Sequence, residues 1–257
     1  MLYQIKQYII FLFKSTNQHG VHSPFVYNLV TKCFYDKTKY REYRNIKDFI
    51  KRIRNVKLKI NVTDFGAGSK KVTSSERKIS EIAKNAGTTI HRAKLLFRMV
   101  NYFKPKYILE LGTSLGFATQ AMSHGNPKAK IDTIEGCPKL SDYTKKHFRV
   151  LRLDNINIIT GNIGDTIKQL ESKQYDLIFF DGNHTKQATL EYFESLLPKA
   201  HNNSVFIFDD IYWTNDMTEA WKTIKQHQKV TVTVDTFYWG IVFFRREQAK
   251  EHFKIRV

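Results

Sequence analysis

The chain has 257 residues, 42% of them hydrophobic and 14% aromatic, with a formal net charge of +18. Its 19 Phe and 13 Tyr exclude disorder as the main state, and no apolar run reaches the roughly 18–20 residues of a membrane-spanning helix. Two widely separated cysteines, Cys33 and Cys137, argue against a disulfide framework and a structural zinc site, so a reducing cytoplasm is the expected location.

The charge is uneven. Residues 1–60 sum to +10, residues 61–104 to +6 and residues 105–257 to only +2. The first 104 residues therefore read either as a basic module that meets an anionic partner, RNA included, or as a solubilising surface.

The opening MLYQIKQYIIFLFK lacks a small-residue cleavage site and meets Lys14 too early for a signal peptide. Leu2, Ile5, Ile9 and Leu12 share one helical face, which predicts an amphipathic helix over 2–13. That face is expected to dock on the body or on a partner subunit, a homodimer included, in preference to a membrane. Segments 22–35, 42–54 and 75–103 also read as helical, and 55–74 as a loop containing DFGAGS (64–69). His19 and His22 have no carboxylate or cysteine neighbours and are read as structural.

From Pro105 the pattern changes to short apolar runs alternating with helical stretches, the signature of a parallel α/β sheet. Strands are expected at 107–111, 130–134, 156–160, 175–180 and 204–208, with helices at 115–124, 138–152, 164–172, 185–197 and 214–228. Segments 230–235 and 239–244 are too close for a crossover and must form an antiparallel hairpin. The expectation is a Rossmann-like, doubly wound, mostly parallel seven-stranded sheet with a closing hairpin, spanning residues 76–257. A basic, mainly helical extension, residues 1–75, precedes it.

Two glycine-rich turns compete for a nucleotide. DFGAGS follows a lysine-rich stretch and opens into no clear helix. Glu110-Leu111-Gly112-Thr113-Ser114-Leu115-Gly116 follows a strand and leads into a helix, as backbone approach to a ligand requires. Glu110, Gly112, Thr113 and Gly116 are therefore placed at a cofactor. The second strand ends at Glu135-Gly136, where an acid can meet ribose hydroxyls, and the third in Gly161-Asn162, where Asn162 can flank an adenine. A dehydrogenase is disfavoured because the first turn lacks G-x-G-x-x-G.

The segments ILELGTSLG, IDTIEG, ITGN, YDLIFFDGNH and FIFDD, with the closing hairpin, together resemble class I S-adenosylmethionine-dependent methyltransferases. Within them the chain is similar to metal-dependent O-methyltransferases of the catechol and caffeoyl-CoA type, and closest to the macrolide-sugar branch. The resemblance covers about residues 76–248. It implies S-adenosylmethionine as cofactor, with Asp181 at its edge.

Carboxylates at strand tips can hold a hard divalent cation such as Mg²⁺, which would acidify an acceptor hydroxyl. Asp181, Asp209 and Asp210 stand at such tips and map by resemblance onto the metal positions, Asp210 replacing an asparagine of catechol-type enzymes. The alternative is a helix cap and a solvent-facing strand end. His184, three residues after Asp181, occupies the base position of the resemblance and has an ordinary pKa near neutrality. Tyr212 and Trp213 are expected to wall the acceptor. The leading expectation is metal-assisted methyl transfer to a hydroxyl of a small molecule or glycan. RNA hydroxyl methylation and a non-catalytic cofactor-binding scaffold are the alternatives.

Overall fold

The computed structural model describes residues 2–63, 75–85 and 88–257, so DFGAGS lies outside the described residues. Helix α1 (Leu2–Lys14) comes first, followed by α2 (Pro24–Leu29), which widens into a π-type turn through Phe34. The HSPF stretch is a helix start: the Ser23 hydroxyl accepts from the Val26 N–H, and Pro24 supplies a first helical residue that needs no donor. Next come α3 (Glu42–Ile53), strands β1 (Lys59–Val62) and β2 (Ser75–Lys78), α4 (Ile79–Asn85) and α5 (Ile90–Phe103).

The β1–β2 pair corrects the expected loop at 55–74 and the expected continuous helix from 75. Leu58, Ile60 and Val62 alternate as strand residues do, but SERK offers no apolar partner pattern. Pairing is antiparallel, and Glu76 takes the Lys59 ammonium at 2.9 Å across it.

The body then runs β3 (Tyr107–Leu111), α6 (Phe117–Gly125), β4 (Lys130–Glu135), α7 (Pro138–Val150), β5 (Ile156–Thr160) and α8 (Ile163–Gln169). It continues with β6 (Leu177–Phe180), α9 (Lys186–Leu196), β7 (Val205–Asp209), α10 (Asn215–Gln226), β8 (Val232–Asp235), β9 (Trp239–Phe243) and β10 (Glu251–Lys254). The sheet order is β10-β8-β9-β7-β6-β3-β4-β5, with β9 antiparallel to both β7 and β8. The expected hairpin is present, and the sheet has eight strands where the sequence pattern indicated seven. EHFK shows no run of apolar residues, yet it pairs in parallel with β8 and forms an edge. Thr16 bridges onto that edge, its N–H donating to the Lys254 carbonyl at 2.8 Å.

Neighbouring strand residues point to opposite faces, so Ile108, Leu177 and Phe179 join one core while Leu109, Ile178 and Phe180 join the other. The first core also holds Val26, Leu29, Val30 and Phe34. Buried Arg98 on α5 ties this segment down, donating to the carbonyls of Cys33 and Phe34 at 2.9 and 3.0 Å. A boundary at residue 75 thus falls within a shared core and at the first residue of β2. Both cysteines are free and buried. No helix among the described residues is long and apolar enough to cross a membrane.

Helix α1 corrects the expected docking of its stripe on the body. Phe11 is its buried residue, and Tyr3 hydrogen-bonds Thr218 at 2.7 Å, so the helix docks by its tyrosine and phenylalanine side. The Leu2/Ile5/Ile9/Leu12 stripe faces outward.

Candidate active site

Strand β3 lies between β4 and β6, so the chain leaves it toward opposite sides and opens a crevice at the strand tips. A cavity of about 830 Å³ fills that crevice, lined by residues after β3, β4, β5, β6 and β7.

Gly112 takes φ +98°, and a Cβ there would stand 2.3 Å from the Asp181 carbonyl oxygen. Only glycine lets the two strand tips approach this closely. Gly112→Ala is therefore expected to cost roughly 2–4 kcal/mol, read as a lowered midpoint in thermal unfolding. An unchanged midpoint would contradict the close approach.

Glu135 is buried at the end of β4. Its Oε2 accepts from the Ser114 N–H at 2.7 Å and its Oε1 from the Cys137 N–H at 2.8 Å. These backbone donors fix a carboxylate on the cavity wall. Gly136 and Asn162 line the same wall, Asn162 also capping α8 through the Asp165 N–H.

The cavity brings together Gly112, Glu135, Gly136, Asn162, Asp181, His184, Asp209 and Asp210. It does not include Glu110, Thr113 or Gly116. Gly116 is the N-cap of α6, and the Thr113 hydroxyl is buried against Thr133. Glu110 sits fully buried beneath the turn, accepting from the Thr119 and Thr133 hydroxyls at 2.5 Å. Its Oε1 has no hydrogen-bond partner among the described residues. These three residues support the turn from behind.

Burial raises the Glu110 pKa to about 8 despite the two hydroxyl donors. A carboxyl whose folded pKa exceeds its unfolded one contributes stability that is complete below about 4.5 and falls as pH rises toward 8. Glu110→Gln should therefore gain stability relative to the parent by roughly 2–4 kcal/mol more at pH 8 than at pH 5, read by denaturant unfolding. An equal change at both pH values would contradict a protonated Glu110.

The other half of the cavity is ionic. Asp181 follows β6, His184 opens the turn before α9, and Asp209 and Asp210 end β7. His184 Nε2 lies 3.6 Å from Asp181 Oδ1. Arg92, on the first turn of α5, reaches in from the other side of the crevice. Its Nη1 donates to Asp209 Oδ1 at 3.0 Å and lies 3.6 Å from Asp210 Oδ1. Burial, then the charge of Asp209, pushes the Asp181 carboxyl up. The same causes raise Asp210 to about 6. Burial alone would lower His184, but the carboxylates, Asp181 first, hold its imidazolium and raise it to about 9. The carboxylates thus hold the imidazole toward its charged form.

Two cations, Arg92 and His184, thus stand among three carboxylates. Among the described residues no group of three or more His, Cys, Asp or Glu side chains converges as metal ligands do. The carboxylate set has the right chemistry for Mg²⁺, but as arranged its charge is met by protein cations. Arg92 and His184 thus stand beside the carboxylates that the resemblance gives to a cation.

Six described non-glycine residues have positive φ, and four of them, Ser114, Asn183, Asp210 and Phe237, line the cavity. Such conformations cost of order 1–3 kcal/mol each and concentrate where side chains must be aimed. Tyr212 and Trp213 line the cavity as expected, and Phe237 stacks on Tyr212 at 5.3 Å. Tyr8 of α1 meets Phe237 edge-on at 4.8 Å. Arg92, Tyr8, Phe237 and Tyr238 were not legible from sequence. Arg92 carries no motif, Tyr8 lies on the first helix, and Phe237 and Tyr238 lie in the short β8–β9 turn.

A glycine turn and an acid on the next strand at a topological switch point are features of a Rossmann-like, doubly wound sheet. A family model described as a methyltransferase domain matches residues 109–211, which cover the sheet from β3 to the end of β7. The catechol O-methyltransferase of Mycobacterium tuberculosis is 25% identical over 122 residues, 47% of this chain and 54% of that protein. That of Niastella koreensis is 29% identical over 126 residues, 47% of this chain and 56% of that protein. The chain spans a little over half the length of these curated relatives. SAH-bound PaMTH1, a methyltransferase of Podospora anserina, superposes with a TM-score of 0.63 at 16% identity over 88% of this chain and 97% of that one. An SAH complex of the Bacillus cereus O-methyltransferase gives 0.54 at 20% identity, covering 62% and 83%. These two likenesses show the fold.

Proposed function

We propose that the chain transfers a methyl group from S-adenosylmethionine to a hydroxyl of a small molecule. The observation that carries this reading is one cavity joining the glycine–Glu135 wall to the His184–carboxylate–Arg92 cluster, with aromatic side chains in its lining. At about 830 Å³ it is within the range of small-molecule sites. The catechol O-methyltransferase relatives support hydroxyl as the acceptor group.

The residues divide the work. Gly112 and Gly136 let backbone approach the cofactor, and Glu135, fixed by two N–H donors, is placed to accept from ribose hydroxyls. In the transfer the sulfonium–methyl bond breaks and a carbon–oxygen bond forms. Neutral His184 takes the hydroxyl proton, and Asp181 steadies the imidazolium that results. Arg92 is the fixed cation beside which negative charge on the acceptor oxygen develops. Magnesium has no part in this reading because Arg92 already meets Asp209 and Asp210.

The test is incubation with methyl-labelled S-adenosylmethionine and pooled phenols, sugars and RNA, with and without EDTA. Label on a small-molecule hydroxyl in both arms is expected. Label confined to RNA, or none on any hydroxyl while the cofactor binds, would overturn the reading.

A further inference from the structure

Among the described residues, most of the large exposed apolar side chains lie in one place. On α1, Leu2, Ile5, Ile9, Leu12 and Phe13 face outward, Leu2 at 85% and Phe13 at 87% exposure. The opposite side of the same helix, with Tyr3 and Phe11, is the docked one, so the stripe is not a remnant of core packing. Trp213 and Tyr238, each more than half exposed, continue the apolar surface onto the cavity rim. Gln4 joins the two by donating to the Trp213 carbonyl at 3.2 Å. Ile5 and Tyr8 line the cavity itself, so stripe and cavity mouth share one face of the molecule.

The charged side chains of the helix itself have one sign. Helix α1 contains Lys6 and Lys14 and no acidic residue, and residues 1–60 carry a net +10. A second copy of the chain would bring another +18 against it and offers no acidic counterpart on the helix. An apolar helix stripe edged with lysine is suited to a surface that is apolar in depth and anionic at its boundary.

We propose that α1 is an interfacial helix that docks the chain on anionic lipid, with its active-site mouth turned toward the bilayer. The apolar side chains enter the headgroup–acyl boundary, and Lys6 and Lys14 meet lipid phosphates. This inference does not depend on the proposed reaction, since it concerns only the rim.

The experiment is co-sedimentation of the full chain with vesicles of phosphatidylcholine alone and of phosphatidylcholine mixed with phosphatidylglycerol, at low and high salt. Binding at least ~10-fold stronger to the anionic vesicles, weakened by salt, is expected. The doubly substituted Ile9→Glu, Phe13→Glu chain should lose this binding with its thermal midpoint unchanged, because both side chains are exposed. Three results would each overturn the proposal. They are absence of binding, equal binding to neutral vesicles, and binding that survives the double substitution. A dimer in light scattering that the double substitution dissolves would assign the stripe to a second copy instead.

Discussion

Replacing Arg92 with methionine is expected to lower turnover by about 100-fold or more while leaving cofactor affinity within a few-fold of the parent. The guanidinium faces Asp209 at 3.0 Å and Asp210 at 3.6 Å. Without it, two carboxylates on adjacent residues lose their nearest cation, and the variant should bind Mn²⁺ where the parent does not. The parent should keep its activity in EDTA. Loss of parent activity in EDTA, with stoichiometric Mn²⁺ binding to the parent, would show that the carboxylates hold a metal and that Arg92 is secondary. Stability should fall as well, by roughly 2–4 kcal/mol, because Asp209 is buried and would be left unpaired.

The second large effect is on the pH profile. A base must be neutral to accept a proton, and the carboxylates around His184 raise its pKa to about 9. At pH 7 only about one molecule in a hundred then carries the neutral imidazole, so kcat/KM should rise about tenfold per pH unit and level off near pH 9. His184→Gln should be slower by about 100-fold or more and lose this slope, with SAH binding retained. A profile already flat at pH 7 would remove His184 from the role of base.

Much of the body was legible in the sequence because its strands are buried on both faces and punctuated by turns. YILEL, LIFF and VFIFD read as strands from apolar content alone. The closing hairpin followed from the short link between β8 and β9. Segments whose shape depends on partners were not legible. SERK and EHFK become strands only because β1 and β8 present edges to them. The outward face of α1 was misread because helical periodicity shows that a stripe exists and not which side the body covers. At the site, glycine and carboxylate positions were readable from the strand tips. Glu110 shares the turn's sequence but points beneath it, which depends on the pleat and on Thr119 and Thr133. Arg92 lies 117 residues before Asp209 and comes from a different element. No spacing rule connects them, and only the fold brings them together.

The account rests on a cofactor site at the tips of β3 and β4, and calorimetric titration with SAH tests that most directly. One SAH per chain is expected at micromolar affinity or tighter, weakened by at least ~10-fold in Glu135→Ala, whose carboxylate the Ser114 and Cys137 N–H groups hold on the cavity wall. Absence of heat at millimolar SAH, or equal affinity in the variant, would contradict it.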